Sequence, residues 1–243
     1  MKLEQAIVIT GAGQRIGLAL AQHLLAQGDY PLVFTYRTRK PGVEALLDAG
    51  AVGFQVDFNQ ADAVASLMSR LTEQVGSMRA LIHNASLWWP DSEPNALQKQ
   101  FDVHVRAPYE LNQACLPLLQ ACDGPNKDII SISDARVVQG HPAKIAYMAT
   151  KAALENMTLS FAQAFAPAVK VNAIAPALLT FHPQDSAEYR QARFDRLLLP
   201  MEPGAEVLCQ AVDYLLDSPY TTGTIMSLDG GSRLVGQRLD SNK

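Results

Sequence analysis

The stretch Ala6-Ile-Val-Ile-Thr-Gly-Ala-Gly-Gln-Arg-Ile-Gly17 decides the fold. Its first five residues carry no charge and are mostly β-branched, which reads as a strand buried on both faces. Glycines then break the strand, and Arg15 opens a predicted helix, Arg15–Gln27, in which Ile16, Leu20 and Leu24 recur every four residues. A strand, a glycine-rich turn and a helix in that order form a cradle for an anion. Gly11 lets the chain turn sharply, and Gly13 lets backbone N–H groups approach a pyrophosphate. Gly17 lets helix and strand pack closely, and the helix start at Arg15 and Ile16 offers oriented donors. The spacing Gly-x-Gly-x-x-x-Gly is one residue longer than the common dinucleotide fingerprint.

Outward from this stretch, apolar runs of strand length alternate with amphipathic runs of helix length. Further strands are predicted over Pro31–Tyr36, Val52–Val56, Ala80–His83, Asp128–Ser133, Val169–Ala175 and Thr224–Leu228. Helical stripes lie between them: Val64, Leu67, Met68 and Leu71 within Ala61–Val75, and Leu208, Ala211, Val212 and Leu215 within Ala205–Leu216. This alternation predicts one α/β domain, a parallel sheet with helices on both faces and a ligand crevice beyond the carboxyl ends of the strands. Only the tail after Leu234 reads as loose.

The end of the second strand selects between dinucleotides. An NAD site places an acid there for the ribose 2′-hydroxyl. Here the sequence is Thr35-Tyr-Arg-Thr-Arg-Lys40, with three cations and no acid. Arg37 can grip a 2′-phosphate bidentately beside Thr38, and Arg15 points the same way, so the expected cofactor is NADP(H). Arg39 and Lys40, taken singly, read better as a solvated basic loop. Asp57, followed by Phe58, ends the third strand. It can accept a hydrogen bond from an adenine amine or cap the helix beginning near Ala61, and the sequence leaves both open.

Composition narrows the partners. The chain has 243 residues, 48% apolar and 18% charged, with a formal net charge of −4, so no basic footprint for nucleic acid exists. No apolar run is long enough to cross a bilayer. Met-Lys-Leu-Glu-Gln leads straight into the first strand, which leaves no room for a signal peptide, so a cytoplasmic protein is expected. Cys115, Cys122 and Cys209 are an odd, scattered set, expected as buried free thiols. The histidines lack metal-ligand spacing, and no metal is expected.

A second informative stretch runs Asp134-Ala-Arg-Val-Val-Gln-Gly-His-Pro-Ala-Lys-Ile-Ala-Tyr-Met-Ala-Thr-Lys151. Tyr147 and Lys151 are four apart in a predicted helix and share one face. An ammonium beside a phenol lowers the phenol pKa from its usual value of about 10, making a proton donor usable near neutral pH. Asp134 follows an apolar strand, so strand tip and helix can bring Asp134 and Tyr147 over one pocket. Taken alone, Asp134 reads as a turn residue at a strand end.

Three further motifs join the Tyr-x-x-x-Lys pair: the glycine-rich turn, His83-Asn-Ala-Ser86, and Leu228-Asp-Gly-Gly231. In this order and at these separations, the chain resembles the short-chain dehydrogenase/reductase family over nearly its whole length. The resemblance implies a doubly wound, seven-stranded, Rossmann-like parallel sheet, usually in a tetramer. It implies Tyr147 as proton donor and Lys151 as the residue that binds the nicotinamide ribose and tunes the tyrosine. Asn84 and Ala85 would lie near the cofactor, and Pro176 at the bend facing the nicotinamide, where Ala177 replaces the usual Gly.

The departures are more informative. Most of the family has Gly at Arg15, Gly at Ser86, and Ser at Asp134, thirteen positions before the tyrosine. All three changes together resemble the pteridine reductase branch, in which an Arg, a Ser and an Asp–Tyr–Lys set serve a pterin site with an aromatic at the place of Trp88. Within the branch the chain is most similar to bacterial dihydromonapterin reductases with side activity on dihydrofolate. His104 stands where the common family has an Asn that holds a relay water.

The chemistry agrees. A 7,8-dihydropterin presents a C6=N5 imine, so hydride goes to carbon and a proton must reach nitrogen. A carboxyl such as Asp134 can relay that proton. Trp88 can stack on the flat ring, with Trp89 in packing, and Ser86 and Arg15 can hydrogen-bond ring and phosphate atoms. Tyr189, in a 178–199 segment expected to cover the substrate, can border the pocket. The expected activity is NADPH-dependent reduction of 7,8-dihydromonapterin, weaker on dihydrofolate. A ketone or aldehyde reductase of the same fold is the alternative. A non-catalytic NADP(H) sensor is a second, against which Tyr147 and Lys151 speak.

Overall fold

Runs too apolar to face water on either side pair into one parallel sheet in the computed structural model, which describes residues 1–237. The strands are β1 (Ala6–Thr10), β2 (Leu32–Tyr36), β3 (Val52–Gln55), β4 (Met78–His83), β5 (Asp128–Ile132), β6 (Lys170–Pro176) and β7 (Ile225–Leu228). Their order is β3-β2-β1-β4-β5-β6-β7, and every pairing is parallel. The seven predicted strands are all present, with ends displaced by no more than two residues.

The helices are α1 (Arg15–Gln27), α2 (Pro41–Asp48), α3 (Ala63–Gln74), α4 (Ala96–Phe101), α5 (Ala107–Gln120), α6 (Ile145–Phe165), α7 (Ala187–Phe194) and α8 (Glu206–Asp217). They cover both faces. Along β1, Ala6 and Val8 point to a core shared with Leu67 of α3, Leu111 of α5 and Phe161 of α6. Ile7 and Ile9 point to the other core, with Leu20 of α1, Val43 of α2 and Val212 of α8. The period-two alternation of a strand thus feeds two separate hydrophobic layers. No helix among the described residues is long and apolar enough to cross a membrane.

The chain winds from β1 to β3 in one direction, then returns past β1 and winds from β4 to β7 in the other. The order reverses between β1 and β4, the switch point at which ligands bind beyond the carboxyl ends of the strands in such sheets.

The structure settles several local points that the sequence left open or placed slightly differently. The helix expected near Ala61 starts at Ala63, because Gln60 N–H donates to Asp57 O at 3.0 Å and holds a turn first. Asp57 therefore caps no helix; its Oδ1 accepts the Asn59 N–H at 3.1 Å instead. The 178–199 segment contains α7, whose first turn is capped where Ser186 Oγ accepts the Tyr189 N–H at 3.2 Å. The tail expected to be loose after Leu234 continues a 3-10 turn to Gln237; its residues 238–243 lie outside the described residues. The three cysteines are free and buried.

The amino ends of the central strands carry a buried ionic cluster. Arg79 Nη1 donates to Asp128 Oδ2 at 2.6 Å, and Lys170 Nζ lies 3.0 Å from Asp128 Oδ1. Arg79 also donates to Leu216 O at 2.6 Å, which ties β4 to the end of α8. Removing the one carboxylate strands the buried Arg79 and leaves the half-buried Lys170 with only backbone acceptors. Asp128→Ala is expected to lower the unfolding free energy by about 3–5 kcal/mol in urea denaturation, and a loss under about 1 kcal/mol would show the cluster to be solvated.

Candidate active site

The crevice is framed by hydrogen bonds between strand ends. Thr10 Oγ1 accepts the N–H groups of Asn84 and Ala85, each at 3.1 Å. Asn84 Nδ2 donates to Thr10 O at 3.1 Å and Gly11 O at 2.8 Å, so this amide holds the glycine-rich turn. Gly11 has φ +71°, and a Cβ there would lie 2.6 Å from Ala85 Cα. A Cβ on Gly17 would lie 2.3 Å from Asn84 Nδ2. Both glycines are required by close approach of β4 to the turn. At Gly13 the crowding comes from Val43 and Tyr36.

Two cavities open along this junction. The first is lined by Gly11, Gly13, Arg37, Thr38, Asp57 and Phe58, with Lys40, Ala85 and Ser86 also on its wall. Gln14, at the N-cap of α1, makes no side-chain cap, so the first-turn N–H groups of α1 remain available to an anion. Arg39, read from the sequence as part of a solvated basic loop, is not on this wall: its Nη2 donates to Glu44 Oε2 at 2.9 Å. Lys40 donates to Gln14 Oε1 at the same wall. Free helix N–H groups plus Arg37 fit a dinucleotide with a 2′-phosphate. Asp57 is on the wall with Oδ1 occupied by Asn59 N–H, and its expected adenine contact is geometrically open.

The second cavity, of about 400 Å³, shares Gly11, Gln14 and Ser86 with the first. Arg15, Ile16, Gly17, Asn84, Trp88 and Pro176 line it, together with Asp134, Tyr147 and Lys151. Trp88 lines the cavity and is 52% exposed, with Lys144 Nζ 5.9 Å from its ring centroid. Trp89 packs away from it under Lys99, whose Nζ sits 4.0 Å from its ring centroid. Tyr189 does not reach this slot; it lines a neighbouring cavity beyond Asp134.

Burial sets the protonation of the reactive groups. Lys151 Nζ donates to Ile132 O at 2.7 Å, and burial lowers its pKa to about 8, against the pull of Asp134 and Glu155. Burial pushes the Tyr147 phenol up to about 12, Asp134 adds to the rise, and Ser86 and Arg15 oppose it. The lowered phenol expected from Lys151 is therefore absent in the protein alone: desolvation dominates, and the ammonium sits 5.8 Å from the ring centroid. Asp134 Oδ1 accepts the Arg136 N–H at 2.8 Å, so the residue forms a strand-end turn and lines the slot at once.

His104 is the residue whose task the sequence left open. It sits in a π-turn, Asp102–Arg106, that widens the helix between α4 and α5 and directs the ring inward. The Leu87 N–H donates to His104 Nε2 at 3.1 Å, so Nε2 carries the lone pair. Nδ1 then holds the proton and donates to Thr150 Oγ1 at 2.9 Å, and Thr150 donates to Tyr147 O at 2.9 Å. Burial first, then Lys151, depresses the imidazole pKa well below its usual value, which fixes this neutral tautomer. Ser86 Oγ lies 3.0 Å from His104 Nε2. The ring thus ties the Ser86–Leu87 loop to the helix bearing Tyr147.

Residues 5–190 match the short chain dehydrogenase family. The chain belongs to that family. The dihydromonapterin reductase of Klebsiella pneumoniae is 43% identical over 232 residues, covering 94% of this chain and 96% of its own. The protein of the same name from Escherichia coli K12 is 43% identical over 233 residues, with the same coverage. Among solved structures, FolM alternative dihydrofolate reductase 1 from Brucella canis, complexed with NADP, has a TM-score of 0.84 at 28% identity over 96% of each chain.

In this short-chain dehydrogenase the slot's outer wall has an unexpected anchor. Asp91, just past Trp88-Trp89-Pro90, accepts the N–H groups of Ile145 at 2.7 Å and Ala146 at 3.1 Å. A loop carboxylate therefore caps the helix that carries Tyr147, a link no local sequence pattern displays. Asp91→Ala should cost about 1 kcal/mol by thermal or urea unfolding. It should also free the Trp88 loop, read as higher amide exchange at residues 87–91; unchanged exchange would mean that the cap does not hold the loop.

Proposed function

We propose that the chain is an NADPH-dependent oxidoreductase that reduces dihydropterins, taking 7,8-dihydromonapterin to tetrahydromonapterin and acting more weakly on dihydrofolate. The observation that carries the reading is a carboxylate, Asp134, on the wall of a slot that also holds Tyr147, Lys151 and an open indole. The dihydromonapterin reductases that resemble it over nearly the whole chain support the same substrate. The cofactor is NADP(H), held by Gly11, Gly13, Arg15, Ile16 and Gly17 at the turn. Arg37, Thr38, Asp57 and Phe58 hold its adenosine end, and Asn84, Ala85, Ser86 and Pro176 complete the site. When bound, NADPH supplies hydride for C6 of the pterin.

The chain's own residues handle the proton. Tyr147, with its pKa near 12, keeps its hydrogen throughout the neutral range and donates it toward N5. A lowered phenol is unnecessary, because nitrogen becomes strongly basic as C6 is reduced. Asp134 relays a proton to the same atom or replenishes Tyr147. Lys151 holds positive charge under both. Trp88 stacks on the ring, contributing about 0.5–1.5 kcal/mol beyond area burial. Arg15 and Ser86 orient ring and phosphate atoms. Segment 178–199 covers the substrate, with Leu178, Leu179 and Thr180 on the slot wall and Tyr189 bordering the substrate beyond it.

We also place the protein in the cytoplasm, in pterin and one-carbon metabolism, as a homotetramer. Exposed Phe101, Tyr109 and Leu159 on α4, α5 and α6 support a partner surface.

Loss of NADPH absorbance with 7,8-dihydromonapterin, a carbonyl panel and buffer alone tests the activity. Turnover should be restricted to the dihydropterin and should prefer NADPH to NADH; turnover of carbonyls alone would overturn the reading. Asp134→Ser should cut pterin turnover roughly 10²–10⁴-fold while sparing any carbonyl turnover.

The pH dependence has a defined sign. Lys151 is a base whose pKa in the free protein is about 8, so its charge is present below that pH and lost above it. Tyr147 stays protonated to about 12. Accordingly kcat/KM for NADPH should fall as pH rises through about 8, and Lys151→Arg should move that limb upward. A limb unmoved by the substitution would assign it to another group.

A further inference from the structure

Beyond Asp134 lies another cavity, of about 420 Å³, nearly equal in size to the pterin slot. Asp134, Lys144, Ala177 and Leu178 belong to both walls, so the two spaces adjoin. The remaining wall is basic: Arg136, His141, Arg193 and Arg196, with Tyr189 at the edge. Four formal cations, Arg136, Lys144, Arg193 and Arg196, face one carboxylate, Asp134, whose Oδ1 is already occupied by a backbone N–H.

Arg39, Arg79, Arg106, Arg190 and Arg233 each contact an acid. Among the described residues, none of the four cavity cations does. Arg136 is half-buried; burial, then Arg193 and Arg196, hold its pKa below the usual guanidinium value, against the pull of Asp134 and Tyr189. The dipole of α7 favours cations at its carboxyl end, where Arg193 and Arg196 stand. It gives no reason for Arg136 and Lys144, from a different segment, to line the same space.

Substrate chemistry supplies a reason. In a 7,8-dihydropterin, the N5 that receives the proton is bonded to C6, and C6 carries the side chain. If Asp134 serves N5, the side chain leaves the slot beside Asp134, and the space on the far side of that residue is the basic cavity. We infer that this cavity binds an anionic group at the end of a dihydropterin's C6 side chain, either the carboxylates of a glutamyl tail or a phosphate ester, through Arg136, Arg193 and Arg196. Guanidinium forks suit both anions bidentately. The inference rests on the pterin reading of the slot. Because the contact is remote from the reacting atoms, it is made equally in ground and transition states, so it acts on KM and leaves kcat little changed.

The test compares 7,8-dihydromonapterin, whose side chain is neutral, with dihydrofolate and with a phosphate ester of a 7,8-dihydropterin, all with saturating NADPH. In R193Q/R196Q, and separately in Arg136→Gln, the KM for an anionic substrate should rise roughly ten-fold more than the KM for dihydromonapterin. The same differential should appear in the unaltered enzyme as salt is raised. A shift in dihydrofolate alone assigns the cavity to carboxylates, a shift in the ester alone to phosphate, and a shift in both to either anion. Equal shifts for charged and neutral substrates would overturn the inference. A second arm needs no turnover: calorimetric binding of p-aminobenzoyl-glutamate to the NADPH-loaded enzyme, expected and weakened by Arg196→Gln. If no dihydropterin is reduced, the slot reading fails while this arm still decides the cavity. Absence of binding, or binding indifferent to Arg196→Gln, would count against the cavity.

Discussion

Thr10 stands where the chain reverses its direction across the sheet, and its hydroxyl joins the two halves of the molecule. Accepting two backbone N–H groups from the loop after β4, it fixes that loop against the end of β1. Asn84 returns two donors to the backbone of the glycine-rich turn. On the other side, Thr35 Oγ1 of β2 accepts the Gly11 N–H at 3.0 Å. The turn is thus clamped between β2 and β4, and Gly11 and Gly17 fit because no Cβ intrudes. Since Gly11, Gln14 and Ser86 border both cavities, this clamp also sets where a dinucleotide would pass from its adenosine end to the reactive slot.

The reactive end depends on dryness more than on paired charges. Burial is the leading cause of every large shift there, and it drives Lys151, His104 and Tyr147 alike toward their neutral forms. The two acids work against this at Lys151. One of them, Glu155, accepts from Ser133 Oγ at 2.6 Å and so steadies the strand end that bears Asp134. Lys151 still carries its charge below about pH 8, with Arg15 and Lys144 lining the same slot, so cationic side chains meet whatever enters it.

Much of the fold was legible in the sequence because buried parallel strands are continuous apolar runs, and their helices carry regular stripes. α1 was bounded to the residue, since Arg15 follows a glycine turn and Gly28, with φ 75°, ends the helix. The site was legible where residues lie within one motif or beside a strand end. It was illegible where a contact joins distant segments. Asp91 capping α6, Glu44 occupying Arg39 and the convergence of Arg136 with Arg193 and Arg196 have no local pattern. The phenol pKa was misjudged for a related reason: the i to i+4 spacing shows that an ammonium is near, yet says nothing of how completely both groups are desolvated.

Arg15 shows how the chain's departures fit together. Its φ of +54° lies in the left-handed region, where a side chain costs about 1–2 kcal/mol and glycine would cost nothing. Of the non-glycine residues with positive φ, Gln5, Arg15 and Asn95, it is Arg15 that lines the slot. Ser86 and Asp134, the other two departures, line it as well. The retained Tyr147 and Lys151 project from the helix behind. Arg15, Ser86 and Asp134 thus meet Tyr147 and Lys151 around one slot, where side chains can differ without any change of fold.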